Sequence, residues 1–119
     1  ITNSRIKNAI YLNNNLKNIN QIELIKERNK FKSVYHLYQF YCEKRDKLHN
    51  FLRKNKIDSK IHYPKPLHLH NAAKKFNYHK GQFYNAEKLS KKVISIPVHE
   101  FITKKQLDFI ISKIKYFYK

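Results

Sequence analysis

The sequence is poor in several residue types, and each shortage excludes something. In 119 residues it has one cysteine, Cys42, one glycine, three prolines, no methionine and no tryptophan. A single cysteine excludes an internal disulfide framework and any cysteine-cluster zinc site. It suits a reducing compartment, so the cytoplasm is the expected location. A lone glycine excludes a glycine-rich phosphate loop, and neither G-x-S-x-G nor H-E-x-x-H occurs. No apolar run approaches the roughly 20 residues of a membrane span, so no membrane partner is expected. The opening Ile1-Thr2-Asn3-Ser4 has neither the apolar region of a signal peptide nor an initiator methionine. With no methionine anywhere else, the chain reads as a piece of a longer one.

Acids are scarce too. Eight Asp and Glu face 26 Lys and Arg, giving a formal net charge of +18 and a pI near 10.0. Such a charge ordinarily points to a polyanion, because lysines that neutralise phosphates release counterions. Only four of the basic residues are arginines (Arg5, Arg28, Arg45 and Arg53), although Arg is the better residue for bidentate phosphate and base contacts. Lysine is accompanied by abundant Asn, Ile, Tyr and Phe, which share its AT-rich codons. Solvated lysine faces therefore outweigh a nucleic-acid surface. A hydrophobic fraction of 41% with 14% aromatics supports a packed core, which excludes a disordered basic tail.

Periodicity places the elements. Ser4 is positioned to cap a helix from Arg5 to about Leu16, with Ile6, Ala9, Ile10, Leu12 and Leu16 on one face and weak last turns at Asn13-Asn14-Asn15. Gln21–Ile25 and Val34–Cys42 read as strands, the second the stronger because β-branched and aromatic residues fill it. Lys44–Asn55 returns to a helical period around Leu48, Phe51 and Leu52. Ser59–Tyr63 reads as a short strand ended by Pro64 and Pro66, and Asn71–Phe76 as a helical turn. Asn85 is placed to cap a helix over Ala86–Lys92, and Val93–Pro97 is a further strand. Thr103 and Gln106 form a capping-box pair for a last helix striped by Leu107, Ile110, Ile111, Ile114 and Phe117. Short connections in this order predict an α+β fold: a small, largely antiparallel sheet of three to four strands with helices on one face.

The densest chemistry is His62-Tyr63-Pro64-Lys65-Pro66-Leu67-His68-Leu69-His70, with three imidazoles and a phenol on a proline-stiffened turn. As a metal site it lacks a nearby Asp, Glu or Cys, so no metal is expected. Loop-filling histidines are the plain alternative. Cys42 reads as a structural thiol. His36 and Tyr38 read as sheet packing.

Five ordered segments carry a resemblance: Ser33-Val34-Tyr35-His36-Leu37-Tyr38, Arg45-Asp46-Lys47-Leu48, Ile57 through His68, Gly81-Gln82-Phe83 with Ala86-Glu87-Lys88-Leu89-Ser90, and Val93-Ile94-Ser95-Ile96-Pro97-Val98-His99. As a set they resemble the C-terminal part of the DegT/DnrJ/EryC1/StrS aminotransferases, pyridoxal-phosphate enzymes that aminate keto-sugars carried on nucleotides. The resemblance implies the C-terminal small domain of a fold type I aminotransferase over residues 19–119, with residues 1–18 as the end of the interdomain helix. It implies pyridoxal phosphate held mainly by an N-terminal domain that also supplies the Schiff-base lysine, which leaves this stretch catalytically incomplete. It further implies a nucleotide-linked keto-sugar and an amino-acid donor, glutamate by analogy, as partners, and a homodimer. His62 and Tyr63 would then hydrogen-bond sugar or diphosphate oxygens, with His68 and Lys65 as secondary candidates. A small basic nucleic-acid-binding or truncated interaction domain is the alternative reading.

Overall fold

The computed structural model describes residues 1–119, in the order α1 (Thr2–Leu16), β1 (Ile22–Leu24), β2 (Tyr38–Cys42), α2 (Arg45–Lys54), α3 (Tyr84–Ser90), β3 (Val93–Ile96) and α4 (Lys104–Phe117). Two 3-10 turns, Leu67–Leu69 and Asn71–Phe76, lie between α2 and α3. The sheet is antiparallel in the order β1-β2-β3, with Leu24 opposite Phe40 and Phe40 opposite Ile94. The α+β class and the small antiparallel sheet expected from the sequence are both present.

Alternation along β2 sorts its side chains by face. Tyr38, Phe40 and Cys42 are buried, together with Ile94 and Ile96 of β3. Against this inner face α1 contributes Ala9, Leu12 and Leu16, α2 contributes Leu48 and Leu52, and α4 contributes Leu107, Ile110, Ile111 and Ile114. Each set follows three- and four-residue spacing, so one stripe per helix enters a single core. No helix is long and apolar enough to cross a membrane.

The α4 capping box forms as read. Gln106 N–H donates to Thr103 Oγ1 at 3.2 Å, and Thr103 N–H donates to Gln106 Oε1 at 2.8 Å. Replacing Thr103 with Ala should cost about 1 kcal/mol in a urea titration, while Thr103→Ser should cost far less. Equal losses would show that the hydroxyl is not what caps the helix.

Five local expectations are corrected. Helix α1 begins at Thr2 with Ile1 as its N-cap, so Ser4 lies inside the first turn and caps nothing. That turn is held from outside by the Arg5 guanidinium, which pairs with Glu100 at 3.0 Å and donates to the His36 carbonyl at 3.1 Å. On the same helix Ile10 faces solvent, whereas the asparagine run is used: Asn13 Oδ1 accepts from the Tyr38 hydroxyl at 2.6 Å, and Asn15 donates to the Tyr11 carbonyl. Strand β2 starts only at Tyr38, because Tyr35 turns the backbone into the left-handed region at φ 47°, which leaves Val34 exposed and His36 outside the sheet. The stretch Ser59–Tyr63 makes one isolated bridge, Lys60 to Ser95, rather than a strand, since the prolines beyond it cannot extend a ladder. Helix α3 begins at Tyr84 with Phe83 as N-cap, so Asn85 is helical and not a cap.

Cys42 is buried, and its Sγ faces the Lys92 carbonyl at 3.7 Å. Burial pushes its thiol pKa up. The native protein should therefore react with a disulfide reagent only as it unfolds, a rate readable by absorbance. Rapid labelling of the native protein would contradict the packing described.

Candidate functional site: a cavity on the outer face of the sheet

The outward-facing residues of the sheet, Gln39 and Tyr41 on β2 and Val93 on β3, form the floor of a cavity of about 860 Å³. Its walls come from the 62–70 loop, the Asn71–Phe76 turn, Phe83 and the inner side of α3. The lining is mainly apolar and aromatic, with a few convergent polar groups, the composition of a site for a small organic ligand.

The four sequence-predicted residues His62, Tyr63, Lys65 and His68 all line this cavity. They do so differently. His62 is fixed from below: its Nδ1 lies 2.9 Å from Ser95 Oγ, and Gln39 Nε2 donates at 3.2 Å to both the His62 carbonyl and Ser95 Oγ. This polar cluster joins β2, β3 and the loop, and it leaves His62 Nε2 without a protein partner. Tyr63 is 71% exposed at the rim, its ring edge-on to His62 at 5.5 Å. Lys65 is exposed, and its carbonyl accepts from His70 Nε2 at 3.1 Å, which closes the proline turn on itself. His62 also borders a smaller groove of about 290 Å³ with Arg5, Asp58, Lys60 and His99, where Lys60 pairs with Asp58 at 2.9 Å and Arg5 with Glu100 at 3.0 Å.

His68 belongs to a second cluster. Its Nε2 lies 2.9 Å from Glu87 Oε1 on α3, and its ring packs on Phe83 at 4.9 Å. The same Glu87 oxygen accepts from the Gly81 N–H at 2.6 Å. Gly81 sits at φ 92°, a conformation that suits glycine, so the loop can turn its amide onto the carboxylate. The His68 hydrogen bond, aided by the Gly81 amide, holds the Glu87 carboxyl below the usual carboxylate range. A depressed carboxylate contributes fully above its ordinary value of about 4.3, and the contribution is lost as pH falls through the lower folded value. Protection of the amide of Gly81, the sole glycine, relative to its intrinsic exchange rate at each pH should be high at neutral pH and fall in that acid range. A protection factor that does not change with pH would mean that the carboxylate does not hold the loop.

Sequence reasoning missed Gln39, Ser95, Glu87 and Phe83 as parts of the site. Gln39 and Tyr41 had a signal, since period two puts them opposite Phe40. Glu87 had a weaker one, as a lone acid among lysines. Ser95 and Phe83 had none outside the family resemblance.

The fold is a small antiparallel sheet with α1, α2 and α4 on one face and a histidine-lined cavity on the other. The chain belongs to the DegT/DnrJ/EryC1/StrS aminotransferase family, whose model matches residues 1–115. It is 35% identical over 86 residues to the pleiotropic regulatory protein of Geobacillus stearothermophilus, covering 72% of this chain and 23% of that one. It is 30% identical over 82 residues to the dTDP-3-amino-3,4,6-trideoxy-alpha-D-glucose transaminase of Streptomyces venezuelae, covering 69% and 22%. The crystal structure of S. venezuelae DesV in complex with a ketimine intermediate superposes with a TM-score of 0.95 at 25% identity, covering 99% of this chain and 32% of that one. The chain thus spans less than a quarter of the length of these curated relatives.

Proposed function

We propose that this chain is the substrate-side portion of a pyridoxal-phosphate-dependent sugar aminotransferase, which moves an amino group from an amino acid, glutamate, to a nucleotide-linked keto-sugar. The observation that carries this reading is the meeting of His62, Tyr63, Lys65 and His68 in one cavity of a chain whose family is that of aminotransferases. The similarity to a transaminase named for a dTDP-linked amino sugar supports the ligand class. In this reading His62 Nε2 and the Tyr63 hydroxyl bind sugar or diphosphate oxygens, and the Pro64 and Pro66 turn keeps them aligned. Lys65, exposed in the same loop as His62, favours the charged end of the ligand. The apolar and aromatic wall residues, among them Leu67, Phe76, Phe83 and Leu89, favour the less polar end.

Pyridoxal phosphate itself does not fit the donor set of this cavity. Lys65 is its only lysine and is exposed at the rim, and no carboxylate lines it. We therefore assign the cofactor to a domain N-terminal to this one, with residues 1–18 as the end of the connecting helix, residues 19–119 as the small domain, and a homodimer as the working assembly. The cytoplasm remains the proposed compartment, in keeping with the free buried thiol.

The test is an amino-transfer assay on the intact protein with glutamate and a panel of nucleotide-linked keto-sugars. Release of 2-oxoglutarate that depends on the keto-sugar is expected. Absence of transfer with every member, together with steeply salt-dependent binding of random duplex DNA, would replace this reading with the nucleic-acid one.

A further inference from the structure

The wall of the cavity is built differently from its floor. No residue between Ser59 and Ser90 is buried, so the stretch that supplies the wall adds nothing to the core under the sheet. It is ordered within itself: Leu69 N–H donates to the Pro66 carbonyl, Ala73 N–H to the His70 carbonyl and Asn77 N–H to the Lys74 carbonyl, all between 2.9 and 3.1 Å. His70 closes on the Lys65 carbonyl, and the Phe76 and Tyr78 rings stack at 5.9 Å. The hydrogen bonds that leave residues 64–82 all end on one side chain, Glu87 of α3, which accepts from the Gly81 amide and pairs with His68. The ring contacts that leave the segment go from His68 and Tyr78 to Phe83, beside α3. None of either kind reaches β2 or β3, whose outward face the segment walls in. Both ends are anchored, His62 by Ser95 and Gln39, and Phe83 as the N-cap of α3. Pro64 and Pro66 stiffen the arm next to His62, and Gly81 at φ 92° turns the chain at the other end.

We propose that residues 64–82 form a flap that swings as one piece on hinges beside His62 and Phe83, with Glu87 as its latch. Little buried area and few bonds to the body mark a segment that opens well below the free energy of global unfolding. The flap also carries cavity-lining apolar groups that stand in water, Leu67 at 85% and Phe76 at 58% exposed, so an inward swing buries apolar area. The swing sets the width of the cavity mouth, and a single carboxylate sets its rest position. The flap depends on the cavity and not on the identity of its ligand, so it stands even where the amino-transfer assay fails.

Distances in the intact protein, measured by pulsed electron paramagnetic resonance, test the flap. One pair of nitroxides sits on Lys74→Cys in the flap and Lys105→Cys on α4, exposed positions on opposite sides of the sheet. A second pair, Lys47→Cys on α2 with Lys105→Cys, reports the body, and native Cys42 is buried and stays unlabelled. Glu87→Ala should raise the population with a displaced flap about tenfold, the effect of losing a hydrogen bond to a charged group, and leave the α2–α4 distance unchanged. Glu87→Gln keeps an oxygen acceptor without the charge. It should move the flap pair in the same direction by less, and it carries the test if Glu87→Ala does not fold. Amide protection at Leu69, Ala73 and Asn77 should be the same in wild type and variant. A flap distance that neither variant moves overturns the inference. So does an α2–α4 distance that broadens with it, because Glu87 would then hold the whole fold, and so does lost protection at the three amides, which would be local melting instead of a swing.

Discussion

Replacing Arg45 with Ala is expected to lower the stability of the fold by about 3 kcal/mol, from the two carbonyls it leaves without a donor. Arg45 opens α2, a position where the helix dipole disfavours a cation, yet the side chain is only 7% exposed. Its placement is explained by what it holds. Nη1 donates to the Ser90 carbonyl at 2.9 Å and to the Val93 carbonyl at 2.8 Å, tying α2 to the turn between α3 and β3. Its pairing with Asp46 at 2.7 Å is the lesser part, because Asp46 is 79% exposed and such a pair contributes at most about 1 kcal/mol. Asp46→Asn should accordingly shift the urea midpoint little, and Arg45→Lys should recover only part of the loss, since an ammonium lacks the planar fork. A loss below about 0.5 kcal/mol for Arg45→Ala would show that water replaces the guanidinium without cost. An equal loss for Asp46→Asn would move the weight to the ion pair.

The second large effect is functional. His62→Ala should weaken binding of a nucleotide-linked sugar by about 10- to 100-fold, the range for a hydrogen bond to a charged group, with little change in melting temperature. The structural cost is small because Gln39 still donates to Ser95 Oγ when the imidazole is gone. Tyr63→Phe should cost less, about tenfold at most. Its hydroxyl stands exposed at the rim and stays hydrated in the free protein. Titration calorimetry and thermal melts of the same variants separate the two effects. A parallel fall in affinity and melting temperature for His62→Ala would make His62 a structural residue.

What could be read from the sequence follows the range of the interactions that set it. Helix α4 was fully legible because its capping box spans three residues and its stripe is local. The start of α1 was not, since it is held by Glu100, 95 residues away. Strand β2 was legible through Tyr38–Cys42, but Tyr35 adopts a backbone angle that its residue type does not announce. The Ser59–Tyr63 strand failed for a similar reason: its composition suits a strand, yet only Lys60 finds a partner. In the site, the histidine cluster stood out because the residues are neighbours in sequence. Its supports did not, because Ser95 and Glu87 reach His62 and His68 across 33 and 19 residues. The charge was the most misleading signal. It spreads over many lysines, of which the cavity uses one, Lys65.

The central claim is that the cavity on the outer face of the sheet binds a nucleotide-linked sugar, and chemical-shift mapping of the isotopically labelled intact protein with dTDP-glucose tests it most directly. The account predicts saturable shifts at Gln39, Tyr41, His62, Tyr63 and His68, with the exposed lysines of α4 unmoved. Shifts confined to exposed lysines, or none at the cavity under saturating ligand, would contradict it.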